Sequence, residues 1–357
     1  MPGSARANWR EADCVRCAGA VAAGAGVLLW SRSGSWVTYH PEHAPEAEPG
    51  GMTSDVEALR VNEWDGECEV CGGPVAARAG VLVLAPPGHG RGKWRVAHRE
   101  HVREAAPPPR GGHNGWHRGP LMAFDIATTG NRYGVDRMLG AAVRVTDGPG
   151  RWWLIDPGPE EVSVSPRKTH RITVEEARAE GVPAARALDE LADVLAGRLS
   201  AEEPLVVWYA PFVLTTLEAE LRRHGLASLA DRTPHGVSPV CDPLVLDRHA
   251  DPDRRGGRSL EAVTEWYGVP HGSHRAPYDH PGDPRCDAEA ALALASVVGA
   301  CFPGVGRLSG PVLHAKQTRW HRDRQGQIRG GKSGAGVETW PLDQPVEVLP
   351  WRDHDAG

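Results

Sequence analysis

One pattern occurs twice before residue 105 and limits what this part of the chain can become. The first copy reads CVRCAGAVAAGAGVLLW and then WVTYHPEH; the second reads CEVCGGPVAARAGVLVL and then WRVAHREH. Each copy holds a C-x-x-C pair, a Gly/Ala turn, a Gly-Val-Leu strand, a second strand opened by Trp, and H-x-x-H. The ligand sets are Cys14, Cys17, His40, His43 and Cys68, Cys71, His98, His101. A C-x-x-C knuckle aims two thiolates at one spot, and a β-hairpin brings the chain back. H-x-x-H at a helix start then offers two imidazoles. The result is a closed tetrahedral Cys₂His₂ shell, the mark of a structural zinc site. A module of about 35 residues is too small to fold on apolar burial alone, so metal would supply much of its stability. The loop between the pairs is longer than in DNA-reading ββα fingers, so a zinc-ribbon or treble-clef-like module is expected.

The chain has 357 residues, enough for two or three domains, and 40% are hydrophobic, enough for a real core. Gly and Pro are abundant and Lys is scarce, so Arg carries most of the positive charge. The net charge of −6 excludes a chain that is a polyanion-binding surface throughout. Nucleic-acid contact would have to come from local Arg clusters. No stretch approaches the roughly 20 apolar residues of a membrane span. The N-terminal MPGSARANWREADC lacks the apolar segment of a signal peptide, so a cytoplasmic protein without membrane attachment is expected. Seven Cys, four of them in C-x-x-C pairs, point to metal ligation in a reducing compartment more than to disulfides.

A Pro/Gly-rich stretch, EAAPPPRGGHNGWHRGP, reads as a linker. Beyond it the pattern changes. PLMAFDIA, MLGAAVRV and RWWLIDP are three strands in quick succession, consistent with an antiparallel meander. TVEEARAEG opens with a capping box, Thr173 and Glu176, and stops at Gly181. AARALDELADVLAGRL has helical apolar spacing. EPLVVWYA reads as a buried strand, and PFVLTTLEAELRRHG as a helix with Pro near its start and Gly225 at its end. SLEAVTEWYG and CDAEAALALASVVGACF are further helices. A meander followed by alternating helices and strands gives an α/β domain.

The order of these segments resembles the DnaQ-like (DEDDh) 3′→5′ exonucleases of the ribonuclease H-like fold. The resemblance rests on FDIATTG, on Asp136–Arg137, on DPG with HRIT at His170, on YAPFVLTTL, and on GDPRCDA. The tail segments LHAKQTRWHRDRQ and TWPL are similar to extensions on actinobacterial members. The resemblance implies an antiparallel or mixed sheet flanked by helices, and phosphodiester hydrolysis assisted by two Mg²⁺ or Mn²⁺ ions. It also implies four carboxylate ligands and a His general base.

Carried across by position, the motif is incomplete. Asp125 and Asp287 keep the first and last acids. Ala127 stands at the second acid, Val213 at the third and Gly282 at the general base; Tyr209 replaces an Asn. Loss of a general base alone costs about 10²–10⁴ in rate, and loss of carboxylates removes the charge that collects two dications. Ala and Val cannot ligate metal, so rescue needs a relocated acid. Asp283 is the best placed, with Asp279 and His280 nearby; Glu289, two residues past Asp287 on a helix, points elsewhere. Thr128, Thr129, Gly130 and Phe212 are the substrate-contact positions that the resemblance implies. Cys286 reads as a small buried residue. Trp208 and Tyr209 are candidates for base stacking, but their place on a buried strand makes them core.

In the C-terminal part, VLHAKQTRWHRDRQ is an amphipathic segment with Arg and His on its polar side, and GGKSG lacks P-loop spacing. The expected organisation is a first zinc-ribbon/treble-clef-like module in 1–50, its repeat in 60–105, a linker in 106–119, a DnaQ-like α/β domain in 120–303 and a C-terminal extension in 304–357. The leading expectation is an exonuclease-fold protein, impaired or inactive as an enzyme, that associates with 3′ ends of single-stranded DNA or RNA. It would carry two structural Zn²⁺, and Mg²⁺ or Mn²⁺ only if the site still works. Two alternatives stay open: an active 3′→5′ exonuclease using substitute acids such as Asp283, and a zinc-dependent scaffold with a protein partner on the zinc modules.

Overall fold

The computed structural model describes residues 6–14, 19–31, 36–44, 52–53, 59–84, 94–101, 107–108, 110–159, 170–252, 254, 257–272, 279–329 and 339–342. The chain falls into two compact units. One comprises 1–119, 247–270 and 296–308; the other comprises 120–246, 271–295 and 309–357. Cys17 and the GGKSG loop lie outside the described residues.

The second unit is built on a six-stranded sheet. Its strands are β1 (Met122–Thr128), β2 (Met138–Val145), β3 (Arg151–Asp156), β4 (Val182–Pro183), β5 (Leu205–Val206) and β6 (Val240–Cys241). The spatial order is β4-β3-β2-β1-β5-β6. β1, β2 and β3 form the antiparallel meander, while β5 runs parallel to β1 and β6 parallel to β5. This mixed sheet with helices is consistent with an exonuclease-like fold.

Alternation along β1 decides what faces where. Met122, Phe124 and Ile126 enter the main core, and the two-residue period sends Asp125 and Ala127 to the other face. The helices follow their sequence signals. Helix α1 (Val174–Glu180) is capped by Thr173, whose Oγ1 accepts from Glu176 N at 3.0 Å. Helix α2 (Ala184–Ser200) buries Leu188, Leu191, Leu195 and Leu199 at helical spacing. Helix α3 (Ala210–Arg223) has Pro in its first turn. The run EPLVVWYA forms only the short β5, lengthened by the bond from Val207 N to Cys241 O at 2.9 Å.

Helix α4 (Pro243–Ala250), helix α5 (Leu260–Trp266), helix α6 (Pro284–Cys301) and helix α7 (Gly310–Arg329) complete the longer elements described. Helix α7 buries Leu313, Gln317 and His321, four residues apart. Gln317 Nε2 donates to Val240 O at 2.9 Å, and its Oε1 accepts from Asp242 N at 2.8 Å. One amide side chain thus supplies the ladder partners that β6 has no strand to provide.

In the first unit the internal repeat is repeated in space. Each copy has a knuckle hairpin, Ala12–Asp13 with Ala20–Val21 and Gly66–Glu67 with Pro74–Val75. Each then has a longer hairpin, Val27–Ser31 with Trp36–Tyr39 and Gly80–Leu84 with Trp94–His98, ending in a 3₁₀ turn at Pro41–His43 or Arg99–His101. The apolar cores are small, with Cys14, Val21, Leu29 and Tyr39 in one and Cys68, Val75, Val81, Val83 and Ala97 in the other. The described part of 106–119 does not run as an open spacer. Trp116 is buried and its Nε1 donates to Val305 O at 3.0 Å, while Gly111 N donates to Ala300 O at 2.7 Å. Its Pro and Gly content conceals a segment docked by Trp and His side chains.

Candidate functional site

Asp125 sits midway along β1, and Asp287 lies in the first turn of α6. The fold brings them together. Burial raises the Asp125 carboxyl well above the ordinary carboxylate range; Asp287 and then Asp283 raise it further, against the pull of Ile126 N–H. Three acids therefore share one neighbourhood.

The positions between them are filled, not vacant. Ala127 is 1% exposed and packs with Leu139, Ile172, Val174 and Ala177. Val213 is 3% exposed and belongs to the main core. Gly282 has a backbone φ of +92°, which L side chains rarely adopt, and its N–H donates to Asp287 Oδ1 at 2.9 Å. At Gly282 the loop thus offers Asp287 a backbone donor and no side chain.

The substitute acid is committed elsewhere. Asp283 is buried, and Arg285 holds both its oxygens, Nε to Oδ1 at 2.8 Å and a terminal nitrogen to Oδ2 at 2.7 Å. The Arg285 guanidinium also lies over the Trp152 ring, 4.3 Å from its centre. Glu289 is exposed, as its helical position requires, and lies 3.9 Å from Arg144. His280 is buried, with Nδ1 at 3.0 Å from Pro281 O. A pair of hard dications needs several free carboxylate oxygens. This set, with Ala127 and Val213 offering no oxygen and Asp283 paired with Arg285, does not fit that pair.

His271 was not visible as a site residue. Its Nε2 lies 2.7 Å from Asp287 Oδ1, and its side chain is 7% exposed. Only the density of His in this part of the sequence hinted at it. Cys286 is buried beside Asp287 as expected; burial first, then Asp287 and the other nearby carboxylates, push its thiol up to about 12.

The Thr128-Thr129-Gly130 turn is tightly held. Thr129 is fully buried, its Oγ1 accepts from Arg137 N at 3.0 Å, and its N–H donates to Arg137 O at 2.9 Å. A Cβ on Gly130 would stand 2.4 Å from Asp136 Oδ2, so only Gly fits there. His170 Nε2 lies 2.8 Å from Thr128 O, and its Nδ1 accepts from Ile172 N at 3.1 Å, which fixes a neutral ring. Tyr209 departs from the core expectation. It is 38% exposed because the chain leaves β5 before reaching it, and it caps α3 at φ +55°. Its hydroxyl accepts from Tyr133 at 2.7 Å, and Tyr133 meets Phe212 edge-on at 5.5 Å. β1 and β5 are parallel, so this aromatic trio and the Thr-Thr-Gly turn follow strand ends on the same side of the sheet, where ligands of open α/β sheets gather.

The Cys/His groups form two clusters. Cys68, Cys71, His98 and His101 present donor atoms within 4.8 Å of one another, as do Cys14, His40 and His43. Cys68 Sγ lies 3.4 Å from His101 Nδ1, Cys71 Sγ 3.4 Å from His98 Nδ1, and Cys14 Sγ 3.5 Å from His43 Nδ1. Zn–S and Zn–N bonds of about 2.3 and 2.0 Å place S and N about 3.5 Å apart across a tetrahedral edge. The donors therefore fit zinc. Backbone N–H groups of His40 and His98 donate to Cys14 and Cys68 Sγ, both at 3.4 Å. His40 Nε2 reaches Ala20 O at 3.2 Å and His98 Nε2 reaches Pro74 O at 3.1 Å, which leaves Nδ1 for metal. Burial opposes ionisation of Cys68, but N–H groups of His98, Cys71 and Val70 and the His101 ring bring it down to about 6.

Two residues outside the Cys/His motif support these clusters and were not singled out. Asn8 Oδ1 accepts from Gly26 N at 2.7 Å and its Nδ2 donates to Ala22 O at 2.8 Å. Asn62 repeats both bonds with Gly80 N and Ala76 O, each at 2.8 Å. Trp9 and Trp64, close behind each Asn, are 65% and 73% exposed.

No protein-family model and no curated protein matches this chain. Among solved structures, similarity is found to Escherichia coli exonuclease I. Its zinc-bound single-stranded DNA complex aligns at 18% identity over 52% of this chain and 41% of that one, with a TM-score of 0.44. Its dT13 complex gives 17%, 53%, 43% and 0.42, and its dA16 complex 17%, 59%, 45% and 0.43. The chain spans less than half the length of these structures. Likenesses of this size carry no argument about the site.

Proposed function

We propose that this chain is a zinc-bearing member of the DnaQ-like, ribonuclease H-like exonuclease group whose hydrolytic centre is impaired or lost, and which retains an affinity for single-stranded nucleic-acid ends. The observation that carries the loss of hydrolysis is the apolar packing at Ala127 and Val213. Dispersed vacancies could be refilled by moving acids; positions absorbed into core clusters could not. The Arg285 clamp on Asp283 argues against the substitute-acid reading. The remaining Asp125 and Asp287 are proposed as relics of the metal site, and the Thr128-Thr129-Gly130 turn and Phe212 as the substrate-side surface. Tyr209, exposed beside the half-buried Tyr133 and Phe212, supports a binding role, since an accessible ring stacks on bases without regard to sequence. The Cys14/Cys17/His40/His43 and Cys68/Cys71/His98/His101 groups are proposed to hold two structural zinc ions, in a reducing, cytoplasmic setting.

A second reading is a protein-interaction scaffold. It is favoured by the matched exposed Trp9 and Trp64, since single large aromatics anchor protein interfaces. Labelled single-stranded DNA and RNA at low salt separate the two. Binding that falls linearly in log–log form with added salt, and weakens when Tyr209 and Phe212 become Ala, supports the nucleic-acid reading. No binding at any salt leaves the scaffold.

A further inference from the structure

A third group of donor atoms converges among the described residues, apart from the two Cys/His modules. His271, Cys286 and Asp287 offer one nitrogen, one sulfur and one oxygen within 4.8 Å of one another. We infer that these three side chains form a site for a single borderline-soft divalent ion of the Zn²⁺ or Co²⁺ class. This goes beyond the proposed function: the hard Mg²⁺/Mn²⁺ pair of the motif used four carboxylates and neither this His nor this Cys.

Donor chemistry selects the ion. Imidazole and thiolate favour zinc-like metals, whereas Mg²⁺ and Mn²⁺ prefer oxygen alone. Burial supports a built site. The His271 side chain is 7% exposed, Cys286 7% and Asp287 20%. His271 Nδ1 is buried and has no hydrogen-bond partner among the described residues, so Asp287 is the group that orients the ring. Gly282 N–H, at 2.9 Å from Asp287 Oδ1, orients the carboxylate in turn.

The geometry needs a small adjustment. His271 Nε2 and Asp287 Oδ1 are 2.7 Å apart, joined as a hydrogen bond. Bonds of about 2.0 Å to one ion would set them about 3.3 Å apart across a tetrahedral edge. The ion thus replaces the shared proton, and the pair opens by roughly half an ångström. Three protein ligands leave the fourth position open to water or to Asp125, unlike the four-ligand shells proposed for the modules.

That difference in closure gives the test. The full chain is saturated with zinc, freed of excess, and mixed with a chromogenic chelator. An open site is attacked faster than a closed one. The wild type should release one zinc per chain in a fast phase, followed by a slow phase from the modules. His271→Ala and Cys286→Ala should each lack the fast phase and keep the slow one. Unchanged far-ultraviolet circular dichroism shows that the sheet unit of the variants is folded, and Asp287→Asn provides a third, near-isosteric variant. A wild type with no fast phase, or a fast phase that survives all three substitutions, would overturn the inference. Nucleic acid takes no part, so this result and that of the binding experiment stand or fall separately.

Discussion

At the scale of single residues, Tyr209 and two buried titratable groups carry the sharpest expectations. Tyr209 holds φ +55°, a conformation that suits Asn, the residue of the motif, and burdens a bulky side chain. Tyr209→Asn should therefore raise unfolding stability by about 1 kcal/mol, measured by denaturant titration, even as it removes the bond to Tyr133. Two groups near the β6 edge titrate with opposite signs. Burial raises Asp242 to about 6 against the N–H groups of Ala210, Leu244 and Tyr209, and burial lowers His314 to about 4. An acid raised on folding contributes stability that is present at low pH and lost as pH rises through about 6. A His lowered on folding does the reverse: stability is full above its ordinary value and is lost as pH falls towards about 4. Between these values the two slopes oppose each other. Asp242→Asn should make stability rise with pH across this window, and His314→Gln should make it fall. Urea midpoints at stepped pH check both, and parallel curves for the two variants would refute the assignment.

At the scale of elements, the Cys/His modules and the sheet have cores of very different size. Among the described residues, the buried apolar cluster of each module has four or five members, one of them a donor Cys, too few to stabilise a fold of that size without metal. The sheet unit has a large core of Leu, Val and Ala from β1, β5, α2 and α3. Structural zinc in small modules contributes on the order of 10 kcal/mol. A strong chelator should therefore abolish amide protection in the hairpins at 80–84 and 94–98 while β1 and β2 stay protected, as read by hydrogen exchange with mass spectrometry. Protection of the hairpins that persists without metal would contradict the zinc assignment. Helix α7 has two distinct faces. Its exposed Lys316, Arg319, Arg322 and Arg324 suggest phosphate contact, yet its buried stripe has a definite task in completing the β6 edge through Gln317.

At the scale of the whole molecule, what the sequence disclosed depended on whether the signal was periodic. The repeat was legible because order and spacing recur, and the meander and helices because apolar periodicity and caps are local. Asn8 and Asn62 were missed because a lone polar residue carries no pattern until its partners are seen. His271 reaches Asp287 only through the fold, sixteen residues away. The Arg285 clamp on Asp283 depends on side-chain direction, which spacing does not give. The short β5 misled in another way: an apolar run measures burial, not strand length, and left Tyr209 outside. We propose that core packing at Ala127 and Val213 leaves no place for two metal-binding acids, so that the site does not hydrolyse nucleic acid. The decisive measurement incubates single-stranded DNA and RNA with free 3′ ends with this protein and Mg²⁺ or Mn²⁺, beside an Asp125→Ala, Asp287→Ala double variant. No stepwise shortening beyond that of the variant is expected; shortening by the wild type that disappears in the variant would overturn the proposal.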